Sequence, residues 1–272
     1  MRTASSGDPL YNPTRYVGLI GGVWPGLTWW YAFAAARYHP ELLVQALAAS
    51  FAHYARDPKK NTTVPGQFSE WFDGESLVNR GMRLSPWEPP RFLWAAVEGV
   101  CGVVLQPGAP KINPLVPAGW RWVGLRRLPY HGAEISFFAT REAHDDSSAP
   151  FHLYATTEVT TDHTLEVYSE DVTEEVRGRN PDVCHVALRR RGEIVLLIGN
   201  TSASTSIVPI ELGAVLALTT RYDVHLYDSE SQTWRRGDAD TGAALGTPAV
   251  AIEAGGFRIL RFVEAQGGAV AR

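Results

Sequence analysis

Two cysteines, two methionines and no uninterrupted apolar stretch of membrane-spanning length are the plainest shortages of this sequence. Cys101 and Cys184 each sit in apolar surroundings, so both thiols are expected to be free and buried, and no disulfide framework is expected to carry the fold. The longest apolar runs, 29–36 and 92–105, are too short or are interrupted by Glu98, whereas a membrane helix needs ~20 apolar residues. Positive charge is not in surplus. The 25 Lys and Arg residues stand against 29 Asp and Glu, a net charge of -4, which offers no basic field to a phosphate backbone or an anionic membrane. Neither nucleic acid nor membrane is therefore expected as a partner. Residues 1–11 hold one Arg followed by Ser, Gly, Asp and Pro, without the apolar core of a secretory leader. A cytoplasmic location follows as the expectation.

What is present is an ordinary globular composition, 45% hydrophobic and 20% charged over 272 residues, with two different periods along it. Residues 27–38 (LTWWYAFAAARY) and 40–56 (PELLVQALAASFAHYAR) are apolar at three- and four-residue spacings and are separated by a His-Pro breaker, which predicts a helical hairpin. Thr28 is the expected N-cap of the first helix, while Pro40 suits the first turn of the second, where Glu41 meets the positive end. A third helix is expected over 91–104. From about residue 115 onward, short alternating or β-branched runs (121–128, 133–140, 152–159, 164–168, 183–188, 193–198, 223–227 and 257–263) are punctuated by Gly, Pro, Asn and Asp-Ser turns, the pattern of an all-β sandwich. The chain thus divides into a helical domain, 1–110, and a β domain, 111–272. Residues 166–179 read as a charged, solvated connector.

Eight of the nine tryptophans precede residue 123. Indoles stack on the apolar faces of sugar rings while their N–H groups donate to hydroxyls. Trp29, Trp30 and Trp94 fall within helices and are expected in the core. Trp71 and Trp87 fall on the aperiodic segment 57–87, a loop too long to be a mere connection in a compact domain, and are expected to line a pocket. The same segment carries PGQFSEWFDGES (65–76), which packs Glu70, Asp73 and Glu75 among aromatics. Cleavage of a glycosidic bond needs two carboxyl groups, and shielding by aromatics tunes a carboxyl's pKa. Spacing alone leaves open whether Glu70 serves catalysis or simply caps a helix or pairs with Arg80 or Arg83.

The order GGVWPGLTWW, helical hairpin, GQFSEWFDGES, Ser85-Pro86-Trp87 and closing helix resembles the final portion of the six-hairpin, (α/α)6-toroid glycoside hydrolases, nearest the trehalase and processing α-glucosidase group, over roughly residues 16–105. The resemblance implies an α+β fold, partial (α/α)6-toroid hairpins followed by an all-β sandwich. It implies an inverting hydrolase of α-linked glucosides or mannosides, with Glu70 as the general base that activates water. Asp73 and Glu75 would orient sugar hydroxyls, and Trp24, Trp71 and Trp87 would line the pocket. The general acid in that group is an Asp on an earlier loop. Only Asp8 precedes Trp24 here, in a Ser-Gly-Asp-Pro turn, and three helices cannot close a toroid. The chain is therefore expected to be the C-terminal part of a longer enzyme, completed by an upstream helical region or a partner chain, and inactive alone.

In the β half, Tyr130 and His131 of the Leu-Pro-Tyr-His-Gly stretch are expected in a structural turn. The eight histidines show no ligand spacing, and phosphate-loop and nucleophile-elbow patterns are missing, so neither metal nor cofactor is expected. Two other readings remain open. A six-hairpin disaccharide phosphorylase would use phosphate in place of water, bound by Arg80 and Arg83; a non-catalytic carbohydrate-binding or scaffold protein would need no acid at all.

Overall fold

The computed structural model describes residues 6–12, 21–54, 68–141, 149–178 and 180–265. Expectations placed on residues 55–67 and on His144 lie outside these. The chain separates into two compact units, one of residues Met1–Val104 with Pro114–Pro117 and the other of Leu105–Asn113 with Ala118–Arg272.

The first unit holds three α-helices, α1 (Pro25–Ala35), α2 (Pro40–Tyr54) and α3 (Glu88–Trp94), and a short strand β1 (Val103–Val104). Helix α1 starts earlier than the Thr28 cap predicts. Pro25 occupies the first turn behind Trp24, whose extended backbone forms the cap, a position where proline's missing N–H costs nothing. Thr28 instead returns its hydroxyl to the Trp24 carbonyl at 3.0 Å. Helix α3 passes into a π-turn at Ala95–Val100. Gly99 there lets α2 approach closely, since a Cβ at that position would lie 2.4 Å from Leu43 Cδ2. Trp29 is fully buried, donating to Ser50 Oγ at 2.9 Å and meeting Phe68 and Phe92 edge-on at 5.5 and 5.4 Å. Trp30, expected in the core, is 46% exposed, with the Arg91 guanidinium 4.8 Å from its ring.

The second unit is built of strands: β2 (Lys111–Ile112), β3 (Trp122–Tyr130), β4 (Ala133–Thr140), β5 (His152–Ala155), β6 (Thr164–Val167), β7 (Glu170–Asp171), β8 (Arg177–Gly178), β9 (Val183–Arg190), β10 (Glu193–Asn200), β11 (Ser206–Glu211), β12 (Arg221–Asp228), β13 (Thr233–Arg236), β14 (Asp240–Thr241), β15 (Ala249–Ile252) and β16 (Phe257–Glu264). A seven-stranded sheet runs in the order β13-β12-β16-β10-β9-β7, with β14 also on β12. A four-stranded sheet, β3-β4-β5-β6, and a three-stranded sheet, β15-β11-β8, accompany it.

Alternation along the central strands divides the core in two. Ile194, Leu196 and Ile198 of β10 join Leu260 and Phe262 of β16 and Val208, Ile210, Val250 and Ile252 of the three-stranded sheet. Val195 and Leu197 join Phe257 and Ile259 on the other face, against Phe138 and Tyr154 of the four-stranded sheet. Strand β10 is therefore buried on both faces, which explains its unbroken apolar run IVLLI. The β3–β4 hairpin turns through His131 and Gly132, whose φ angles are +48° and +80°, the twist that suits a two-residue hairpin.

The expected α+β fold built on partial (α/α)6-toroid hairpins is overturned. Among the described residues sixteen strands accompany three short helices. The apolar faces of those helices close on one another through Trp29, Phe68 and Phe92, forming a small core of their own in place of an arc of a ring. The thiols also differ from expectation: neither is in a disulfide, but Cys184 is exposed while Cys101 alone is buried, and burial pushes the Cys101 thiol up to about 12.

Candidate functional site

Three segments of the first unit converge around Glu70. Val23 and Phe72 exchange backbone hydrogen bonds of 2.9 and 2.8 Å, which draws Trp24 alongside residues 71–73. Residues 79–82 fold back on the same stretch: the N–H groups of Arg80 and Gly81 both reach the Trp71 carbonyl, at 3.2 and 3.1 Å. That return requires glycine at 81, since a Cβ there would lie 2.5 Å from Trp71 Cδ1 and 2.9 Å from Glu70 Cβ. Glu70 closes the loop by accepting the Met82 N–H on Oε2 at 3.1 Å. It remains half-buried.

The other expected site residues are disposed unequally. Trp71 is 2% exposed and belongs to the core of the loop. Asp73 is equally buried; its Oδ1 accepts the N–H groups of Glu75 and Ser76 at 3.0 and 2.8 Å, and Arg80 Nε stands 4.0 Å from Oδ2. Burial raises the Asp73 carboxyl's pKa, but these donors outweigh it and hold the pKa below its ordinary value. Glu75 is exposed at the turn, accepting from the Tyr11 hydroxyl at 3.5 Å. Trp24 is half-buried as the cap of α1, while Trp87, the cap of α3, is 40% exposed. Asp8 lies in a turn, its Oδ1 accepting the Leu10 N–H at 2.8 Å.

One carboxyl that sequence reasoning missed belongs here. Glu88, in the first turn of α3, is fully buried beside Gly26, where an added Cβ would stand 2.9 Å from its Oε2. Arg91 Nη1 donates to Oε1 at 3.0 Å. Burial is the largest influence and raises its pKa to about 7 despite Arg91, with the Glu70 charge adding to the rise. The helix expected over 91–104 leaves Glu88 outside it; the helix in fact begins at Glu88, and this carboxyl's environment depends on a glycine sixty-two positions away.

In the second unit, Asp228, Glu230 and Glu253 bring carboxylate oxygens within 4.8 Å of one another. Arg258 already neutralises two of them, at 3.2 Å from Asp228 and 2.6 Å from Glu253. Among the described helices none is long and apolar enough to cross a membrane.

The sequence matches no protein-family model and no curated protein. Part of the chain is similar to solved glycoside hydrolases. An α-galactosidase I from Mortierella vinacea shares 12% identity over 32% of this chain and 22% of its own, with a TM-score of 0.24. A family 27 β-L-arabinopyranosidase from Geobacillus stearothermophilus shares 14% over 35% and 20%, TM-score 0.25. A family 44 xyloglucanase from Paenibacillus polymyxa shares 12% over 31% and 17%, TM-score 0.23. The matched portion is thus about a fifth of each neighbour's length, and likeness at this level assigns neither fold nor activity. The resemblance to the six-hairpin toroids read from residues 16–105 is corrected by the fold itself, in which three short helices accompany sixteen strands among the described residues.

Proposed function

We propose that the chain acts on carbohydrate as a glycoside hydrolase, with Glu70 the carboxylate that activates water at an α-linked glucoside or mannoside. One observation carries this reading: Glu70 is the half-buried carboxylate where residues 23–24, 70–73 and 79–82 come together, fixed through Met82 yet with one oxygen uncommitted to that bond. Trp24, Trp87 and Glu75 are the proposed sugar contacts. Trp71 and Asp73, buried as they are, act by holding the loop that carries Glu70.

Inverting hydrolysis needs a proton donor across the scissile bond, about 6.5–9.5 Å from the base, so that a water fits between. Glu88 has the pKa of a donor but is sealed behind Gly26 and held by Arg91. The donor is therefore proposed to lie outside this chain. Protonation of Glu88 below about pH 7 removes a competing negative charge from beside Glu70. Of the two cations the phosphorylase reading calls on, Arg80 already faces Asp73 at 4.0 Å.

Glycosyl fluorides test the base by itself, because fluoride departs without a proton. The chain should release fluoride from α-glucosyl or α-mannosyl fluoride above the spontaneous rate. Glu70→Gln should reduce that release by about 10²–10⁴-fold, the contribution of a positioned base. Equal release from both proteins would overturn the assignment of Glu70. Sugar binding without any release would identify a non-catalytic carbohydrate-binding protein.

A further inference from the structure

The second unit contains an open cleft of about 470 Å³ lined by His152, Glu166, His225, Trp234, Arg261 and Val263. It is lined from both sheets: His152 and Glu166 come from β5 and β6 of the four-stranded sheet, and the remaining four residues from β12, β13 and β16 of the central sheet. The register fixes the arrangement, with His225 opposite Arg261 across β12 and β16, and Tyr227 opposite Trp234 across β12 and β13.

The polar floor is rigid. Glu166 Oε1 receives Arg261 Nη2 at 2.7 Å and meets His152 Nε2 at 2.9 Å, while Oε2 receives Arg190 at 3.2 Å and the Tyr168 hydroxyl at 3.3 Å. Arg190 and Arg261 also bind Glu193, at 2.6 and 3.4 Å. Two carboxylates and two guanidiniums therefore cancel. Nearby Asp223 is matched by Arg236 at 2.9 Å. Over this neutral floor stands Trp234, 42% exposed on an edge strand whose four residues are all exposed. The Arg261 guanidinium lies 5.5 Å from its ring and Tyr227 lies 5.4 Å away. His152 is stacked on Tyr154, rings 7° from parallel, so its orientation is held as well.

A cleft with balanced charge disfavours an ion, whose desolvation no net field would repay. An exposed indole beside two imidazoles, His152 held and His225 lining the same cleft, suits a ring with one apolar face and a rim of hydroxyls. We propose that this cleft is a binding site for an uncharged pyranose, with Trp234 as the stacking surface and His225 and His152 as hydroxyl partners. The inference stands independently of Glu70, because every residue in it belongs to the second unit.

The test is ¹⁹F NMR of the full chain labelled with 5-fluorotryptophan, the Trp234 line being identified by its loss in Trp234→Phe. Methyl α-glucoside, methyl α-mannoside, methyl α-galactoside and maltotriose are the probes. At least one should move the Trp234 line saturably, and His225→Ala should weaken that binding by about three- to tenfold, the scale of one hydrogen bond. If none of the four moves the line, or His225→Ala leaves the affinity unchanged, the proposal falls. Sodium phosphate or acetate moving the line as strongly would make the cleft an anion site and equally overturn it. The Trp71 and Trp87 lines, assigned in the same way, report the Glu70 loop in the same titration, so failure at one site is distinguishable from failure at the other.

Discussion

Arg261 Nη2 lies 2.7 Å from Glu166 Oε1 although ninety-five positions separate them, and that contact ties the last strand of the central sheet to the outer strand of the four-stranded sheet. With Arg190, His152 and Tyr168 completing the surroundings, the Glu166 carboxyl is held near 2, its burial being outweighed by these donors.

The sign of the consequence follows from a depressed carboxylate. Its contribution is fully present above the unfolded value near 4.5 and is lost as pH falls from about 4.5 to about 2. Glu166→Gln should lower stability at pH 7 by about 1–3 kcal/mol and flatten that acid limb in urea unfolding followed at a series of pH values. A variant whose acid limb parallels the wild type would show that the cluster contributes nothing to folding.

Glu88 predicts the opposite slope. A carboxyl raised to about 7 when folded costs stability as pH climbs from about 4.5 toward 7, since only the unfolded chain ionises it freely. Glu88→Gln should therefore gain on the wild type with rising pH across that window, by an amount on the order of 2 kcal/mol. Unfolding free energies at pH 5 and pH 8 measure it; a constant difference between the two proteins would refute the raised value.

Gly81 should tolerate no side chain. The methyl of Gly81→Ala meets Trp71 Cδ1 at 2.5 Å and the Trp71 backbone N at 2.7 Å, an overpacking that costs about 1–3 kcal/mol. The same variant should impair whatever Glu70 does, because Glu70 Cβ is also within 2.9 Å. Unchanged thermal stability would mean that the 79–82 return is looser than described.

The two loop tryptophans should separate by measurement. Trp71→Ala removes a fully packed indole and should cost about 3–5 kcal/mol, whereas Trp87→Ala, 40% exposed at a helix start, should cost no more than about 1 kcal/mol while weakening sugar binding. Comparable destabilisation by both would place Trp87 in the core instead.

Much of the strand content was legible because period two and β-branched runs survive in β3, β4, β9, β10 and β16, and the helical hairpin was legible from its His-Pro break. Other elements carried no local signal. Strand β11 contains Pro209 opposite Ala249, and proline argues against a strand when only the sequence is read. Strand β13 has no apolar alternation because none of its residues is buried. Helix α1 is apolar nearly all round, so periodicity does not say that Trp29 turns inward and Trp30 outward. The 166–179 segment read as solvated charge because its partners, Arg190 and Arg261, are distant in the chain. Within the loop, the clustering of Glu70, Trp71 and Asp73 was visible, but which of them faces outward depends on hydrogen bonds to residues 75–82 that composition does not specify.

The strand order also sets a schedule. Strand β16 lies in the middle of the sheet, between β12 and β10, though of the described strands it is the last to be synthesised. Until it arrives, the sheet exists as two separate ribbons whose inner edges have unpaired N–H and C=O groups. Translation at about 5–20 residues per second takes roughly 3–13 seconds to pass from the end of β10 to the end of β16. For that interval the apolar edge of β10 is open to mispairing with another nascent chain, so a polysome, where copies emerge side by side, is where this protein is most exposed to aggregation.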